Sequence, residues 1–370
     1  MSAATQRLVA IDAARGFAMC FVCLSHFSAL LESTRPALAE YMAAIAMIAT
    51  PTFLLLSGAM LGLLQNGSSR ASGELSRRLF HRGLLVVLVG HLLISLAAAL
   101  AHAQPYRDVL FSRIYVTDVV GICLMTLPRV TKVMQTKWLV VLGFALYAFA
   151  LLTVYFWFPT NTFEVVAKQL LVGLENEPAT SLIRYVSPII PYVSFYLLGI
   201  PIGRTLATMR AKPLGERDFG LGIVRLGLSM VVMACGLKAL MWISGVNVAS
   251  EWGRVFHELT SPERKIPPGP TYLLFFSGLG LTSLGAFFLL DGFNRAKTGL
   301  NGLAVIGRAS FFVYVLQAYI FGPLLGALPI AHSPVWPLFF IASLTAIWFC
   351  ARAWNIRRGN RLLDIGYRAA

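Results

Sequence analysis

Apolar residues run through this chain in long blocks separated by short polar stretches, and the blocks set its architecture. Ten of them come close to the ~20 residues a helix needs to cross a bilayer. They lie at approximately 10–32, 41–63, 80–101, 112–130, 138–158, 185–206, 220–243, 271–291, 301–326 and 334–354. The pattern predicts an all-α, polytopic integral membrane protein of about ten transmembrane helices. Arg113 and Asp118 interrupt the fourth block. In the second, Pro51 predicts a kink, and Ser57-Gly58 permits a close helix approach. In the sixth, Pro188 and Pro191 mark the entry, and Gly199 with Gly203 forms a four-spaced packing face. The stretch 159–184, with Glu164, Lys168, Glu175, Asn176 and Glu177, is moderately amphipathic and reads as a short surface helix. No repeat or linker sets off a second domain. Residues 1–370 read as one transmembrane domain with a short basic tail over about 355–370.

Charge orients the blocks. With the N-terminus inside, nineteen Lys and Arg fall on the inner side and eight on the outer side. The positive-inside rule then places both termini in the cytoplasm, in a multi-pass protein of the cytoplasmic (inner) membrane. Composition agrees: 57% of the 370 residues are hydrophobic and 13% charged, with mean hydropathy +0.72. The net charge of +15 belongs to the cytoplasmic loops, so no nucleic-acid partner is expected. Five cysteines fit no disulfide framework, and Cys20 and Cys23 read as small apolar residues. The first block is too long and too ionisable for a cleavable signal. There is no zinc-ligand cluster, P-loop or Gly-rich dinucleotide turn, and no metal is expected.

The first block, RLVAIDAARGFAMCFVCLSHFSALLE over residues 7–32, holds the most distinctive chemistry. At about 100° per residue, Asp12, Arg15 and His26 share one helix face, with His26 roughly 16 Å beyond Arg15. Ionisable side chains at such depth usually face the protein interior or a wet cavity. Spacing alone leaves two readings open. One is a reaction path with two poles. The other is an Asp12–Arg15 pair at the membrane edge with His26 as a bonded core histidine.

LVAIDAARGFAMCFVCLSHF, with its aspartate, Arg-Gly pair and arginine-to-histidine spacing, resembles the opening helix of membrane-bound acyltransferase family 3. It is also similar to that of the related heparan-α-glucosaminide N-acetyltransferase-like proteins. The resemblance implies ten spans with both termini inside, and essential roles for Arg15 and His26. A late helix in these families commonly shows a Ser…Tyr…His pattern. Ser310 and Tyr314 match it, but Gln317 stands where the histidine would be.

Other candidates follow from placement. Arg77, Arg78 and Arg82, beside His81, lie at the inner mouth of the third block, where they suit anionic lipid heads or donor phosphates. His91 lies near its midplane, and Asp118 is a candidate partner for a basic group. In the outer loop 245–270, Trp252, Arg254, His257 and Glu258 suit a sugar ring, or are simply solvated.

The reading is an integral membrane O-acyltransferase. Its donor is cytosolic acyl-CoA, most simply acetyl-CoA, and its acceptor a hydroxyl of a glycan or glycolipid at the outer face. Arg15 binds a donor phosphate bidentately, Asp12 orients Arg15, and His26 is the base. Membrane lipid surrounds the protein, and a homo-oligomer is compatible with the sequence. The rival is a transporter or flippase of an anionic lipid or sugar, which ten spans and intramembrane histidines also fit. The lack of a visible half-helix repeat counts against it.

Overall fold

The computed structural model describes residues 8–67, 72–173, 183, 185–246, 250–262, 264–330 and 333–364. The chain is all-α. In order the helices are α1 (Val9–Ala29), α2 (Pro36–Ala46), α3 (Ala49–Gly67), α4 (Ser72–Leu85), α5 (His91–His102), α6 (Tyr106–Ser112), α7 (Val116–Val133) and α8 (Thr136–Phe156). There follow α9 (Thr162–Leu171), α10 (Ile189–Met209), α11 (Gly215–Ser244), α12 (Glu251–Thr260), α13 (Pro270–Asp291), α14 (Asn294–Arg308), α15 (Ser310–Tyr319) and α16 (Trp336–Ile356). A two-residue parallel strand pair joins Arg113–Ile114 to Tyr185–Val186.

Among the described residues, eight helical stretches are long and apolar enough to cross a membrane, and the bent pair α14–α15 makes a ninth. Ten were expected, and the difference is the fourth block. There α7 carries Asp118, Arg129 and Lys132, too many charges for a plain span. The chain nevertheless returns along the third passage here. The Tyr106 hydroxyl donates to the Leu92 carbonyl, Asp118 pairs with His91, and Gly121 packs on Gly83. The fourth passage is thus an interrupted one, made of α6, the short strand and α7.

Proline chemistry shapes the second passage. Pro51 has no N–H, so the Met47 carbonyl loses its helical donor. The helix breaks between α2 and α3, and the Tyr272 hydroxyl donates to Met47 O instead (3.3 Å). Close packing then fixes α3 against α10. Gly58 and Gly62 meet the carbonyls of Tyr196 and Ile200, while Gly199 and Gly203 meet those of Leu55 and Ala59. A Cβ at any of the four would overlap backbone.

The two ends of the bundle are tied by polar staples. At one end the Arg204 guanidinium donates to Thr131 O (2.5 Å) and Met134 O (2.7 Å), closing the carbonyl end of α7. At the other, Lys168 of α9 donates to Val154 O (2.8 Å) and Trp157 O (2.6 Å) at the end of α8. The expected surface helix is therefore α9, while Glu175, Asn176 and Glu177 lie outside the described residues. Its Asn161 cap accepts from Glu164 N (3.0 Å). The Thr160 backbone N–H, helped by the Thr160 hydroxyl and the Asn161 amide, holds the Glu164 carboxyl below the usual carboxylate range.

Candidate active site

Two glycines bring α1 and α14 into backbone contact: Gly16 lies on the Leu303 carbonyl and Gly307 on that of Asp12. Just past this contact the chain bends by 75° between α14 and α15. The residues on either side of the bend meet the charged face of α1. Asp12, 5% exposed, accepts from Arg308 Nε at 3.3 Å. Arg15 donates from Nη2 to Ser310 Oγ at 2.5 Å, and its guanidinium stands 5.9 Å from the centroid of the Phe53 ring on α3. After the bend α15 follows α1 toward its far end, where the Phe321 and Phe27 rings meet edge to face at 5.9 Å.

His26 sits on the same helix, roughly 16 Å further along by helical rise. Its side chain is exposed. The Lys265 ammonium is the charge that acts on it. Anchors on both sides hold Lys265. Before it, Arg264 Nη1 binds Glu258 Oε2 at 2.6 Å, and the Tyr155 hydroxyl hydrogen-bonds to both partners. After it, the Tyr147 hydroxyl donates to Pro268 O at 2.9 Å.

This clasp changes the reading of the outer loop. Glu258 is only 11% exposed and committed to Arg264, so it is not an open sugar contact. Trp252 is 77% exposed on α12 and Arg254 is exposed beside it.

His91 is held at both nitrogens. Nδ1 lies 2.8 Å from Asp118 Oδ2 and Nε2 lies 2.9 Å from Leu110 O. The same Asp118 oxygen caps α7 by accepting from Tyr115 N at 2.8 Å. His91 therefore fastens the third passage to the fourth. A π-helical turn, Val86–Gly90, immediately precedes it.

On α4, Arg78 and Arg82 are half-buried while Arg77 is exposed. In α15, Ser310 and Gln317 are buried and Tyr314 is half-buried. Gln317 Nε2 donates to Tyr314 O at 3.1 Å, and its Oε1 has no partner among the described residues. Among the described residues no group of three His, Cys, Asp or Glu is placed to hold a metal.

The structure thus gathers Asp12, Arg15 and Ser310 and adds Arg308, which sequence reasoning missed. Arg308 carried a signal, as a cation inside the apolar block 301–326 beside a serine of the late-helix pattern.

Residues 7–241 match the family model described as heparan-alpha-glucosaminide N-acetyltransferase, catalytic. The chain belongs to this family. Of the two families its opening helix resembles, it is this one whose model matches. A heparan-alpha-glucosaminide N-acetyltransferase catalytic region makes the chain a membrane acyltransferase of the acetyltransferase type, and enzymes of this kind use acetyl-CoA as donor in general. The match takes in Asp12, Arg15, His26 and His91, and ends before Trp252, Lys265, Arg308, Ser310 and Gln317. A comparison with curated proteins gives no match.

Proposed function

We propose that this protein moves an acetyl group from cytosolic acetyl-CoA to a hydroxyl of a glycan or glycolipid at the outer face. The supporting observation is the joint between α1 and the α14–α15 bend. It fixes Arg15 at one pole of a helix whose other pole carries the exposed His26. Arg15 at the inner pole suits a donor phosphate, because a guanidinium offers a planar fork of donors. The pantetheine arm spans the roughly 16 Å to His26. There the imidazole accepts the proton of the acceptor hydroxyl, whose oxygen attacks the thioester carbonyl. The C–S bond breaks, and the CoA thiolate leaves and takes up a proton. Lys265, beside His26, suits the oxyanion that forms in between.

The test is acetyl-CoA turnover by the purified protein with envelope glycan as acceptor, read by thiol release and by the mass of the product. Wild type releases thiol and adds an acetyl mass that mild alkali removes, as expected of an ester. His26→Gln keeps its fold and lowers turnover by about 10²–10⁴-fold, the usual worth of a general base. An alkali-stable acetyl group would mean an amine acceptor. Wild-type turnover by His26→Gln would remove the base from that residue.

A further inference from the structure

We propose that Asn355 and Asn360 are positioning residues for the inner pole of the site. They hold the α14–α15 bend, and with it Arg308 on Asp12 and Ser310 on Arg15. The inference rests on the donor reading above for its effect on the reaction, and adds residues of the C-terminal segment that reading did not use. A 75° bend leaves carbonyls without helical donors. Here the Ala309 N–H turns back to Ile306 O at 3.1 Å, so Val305 O loses the donor a continuous helix would give it. The α15 ladder restarts at Ala309 O, which accepts from Val313 N at 2.8 Å. Arg308 O therefore falls between the two ladders. An open backbone carbonyl at membrane depth is costly, so each needs a donor from elsewhere.

The C-terminal segment supplies both. Asn355, near the end of α16, donates from Nδ2 to Val305 O at 2.8 Å. Asn360, in the 3-10 turn Gly359–Asp364 that follows, donates from Nδ2 to Arg308 O at 2.8 Å. This second donor is itself held in place. Arg358 adopts the left-handed backbone conformation, φ 56°, which reverses the chain after α16. Gly359 then crosses the Trp354 ring so closely that a Cβ would overlap it. Trp354 Nε1 donates to Asn360 Oδ1 at 3.0 Å. An indole N–H can only donate, so this bond turns the amide with Nδ2 toward Arg308 O. The Trp354 ring also stacks on Phe312 of α15, with centroids 4.4 Å apart and planes 9° from parallel. One chain reversal thus ties the end of α14 to the start of α15 across the bend. The carbonyl that Asn360 holds belongs to Arg308 itself, two residues before Ser310.

Asn360→Asp tests this in the purified full chain, because it keeps an acceptor for Trp354 and nearly the same volume but offers Arg308 O no donor. Spin labels at Gly299→Cys on α14 and Leu324→Cys beyond α15, with the exposed Cys235 and Cys350 changed to serine, read the bend as a distance. Asn360→Asp should shift or broaden that distance. Its KM for acetyl-CoA should rise about two- to tenfold, the range for one hydrogen bond. The kcat at saturating donor and the KM for the acceptor should hold, because His26 lies roughly 16 Å from Arg15. Trp354→Phe keeps a ring on Phe312 and removes only the anchor of the amide, so it should move both readings the same way by less. Trp348→Phe is the control. It removes a similar bond, Nε1 to Gly302 O at 3.0 Å, from a carbonyl well inside α14 that keeps its helical donor, and should move neither reading. A wild-type distance in Asn360→Asp overturns the proposal. So does an unchanged donor KM beside a shifted distance, or an equal KM rise in Trp348→Phe. If wild type itself binds no acetyl-CoA, the donor reading fails as a separate result, and the distances still decide whether the asparagines hold the bend.

Discussion

At the residue scale, Arg15 is the position on which binding and architecture meet. Its guanidinium holds Ser310 at the α15 start and, in the proposed reaction, a donor phosphate. Arg15→Ala should weaken acetyl-CoA binding by on the order of 1.5–3 kcal/mol, the worth of a hydrogen bond to a charged group. Arg15→Lys should restore little of it, since an ammonium lacks the fork. Calorimetry reads both, and an unchanged affinity in the alanine variant would make Arg15 a structural tie alone. Asp12, Arg15 and His26 stand out in the sequence because ionisable groups in an apolar block are conspicuous. Their partners do not. Asp12 meets Arg308 and Arg15 meets Ser310 across nearly three hundred residues, and helical periodicity carries no information at that separation. Glu258 shows the converse error: its polarity suggested a sugar contact, whereas Arg264 and Tyr155 occupy it.

At the element scale, the apolar blocks were legible because bilayer thickness imposes their length. Their internal breaks were legible only where a residue type forces one. Pro51 did so, and the break falls just upstream, at the carbonyl it leaves without a donor. The π-helical turn before His91 and the 75° bend after Arg308 have no such marker, because tertiary packing makes them. Gly307 is central to the bend, since a Cβ there would overlap the Asp12 carbonyl. Gly307→Ala should force α14 away from α1 and lower stability by about 1–3 kcal/mol, the usual cost of overpacking. It should also reduce turnover by displacing Ser310 from Arg15. Gly299→Ala, on the same helix with open space around it, is the control: it should leave turnover unchanged and raise stability by up to about 1 kcal/mol. Thermal melts and turnover of the two variants decide it.

At the scale of the whole molecule, the helix ends sort into two groups, one tied by Arg204 and the other by the Tyr155–Glu258–Arg264 clasp. We place the first in the cytosol from the charge count. Reporter fusions after residue 215 and at the C-terminus should both report cytoplasm, and fusions within 245–268 the outside. Opposite locations for the first two would break the alternation that the interrupted fourth passage completes. The α1–α15 contact also bears on how the protein is made. Arg15 enters the bilayer 295 residues before Ser310 is made. At ~5–20 residues per second, synthesis leaves an interval of roughly 15–60 s. Throughout it a guanidinium sits in the membrane before its serine exists. Helix α1 is therefore inserted long before α15 joins it, and the contact between them closes only when the ninth passage arrives.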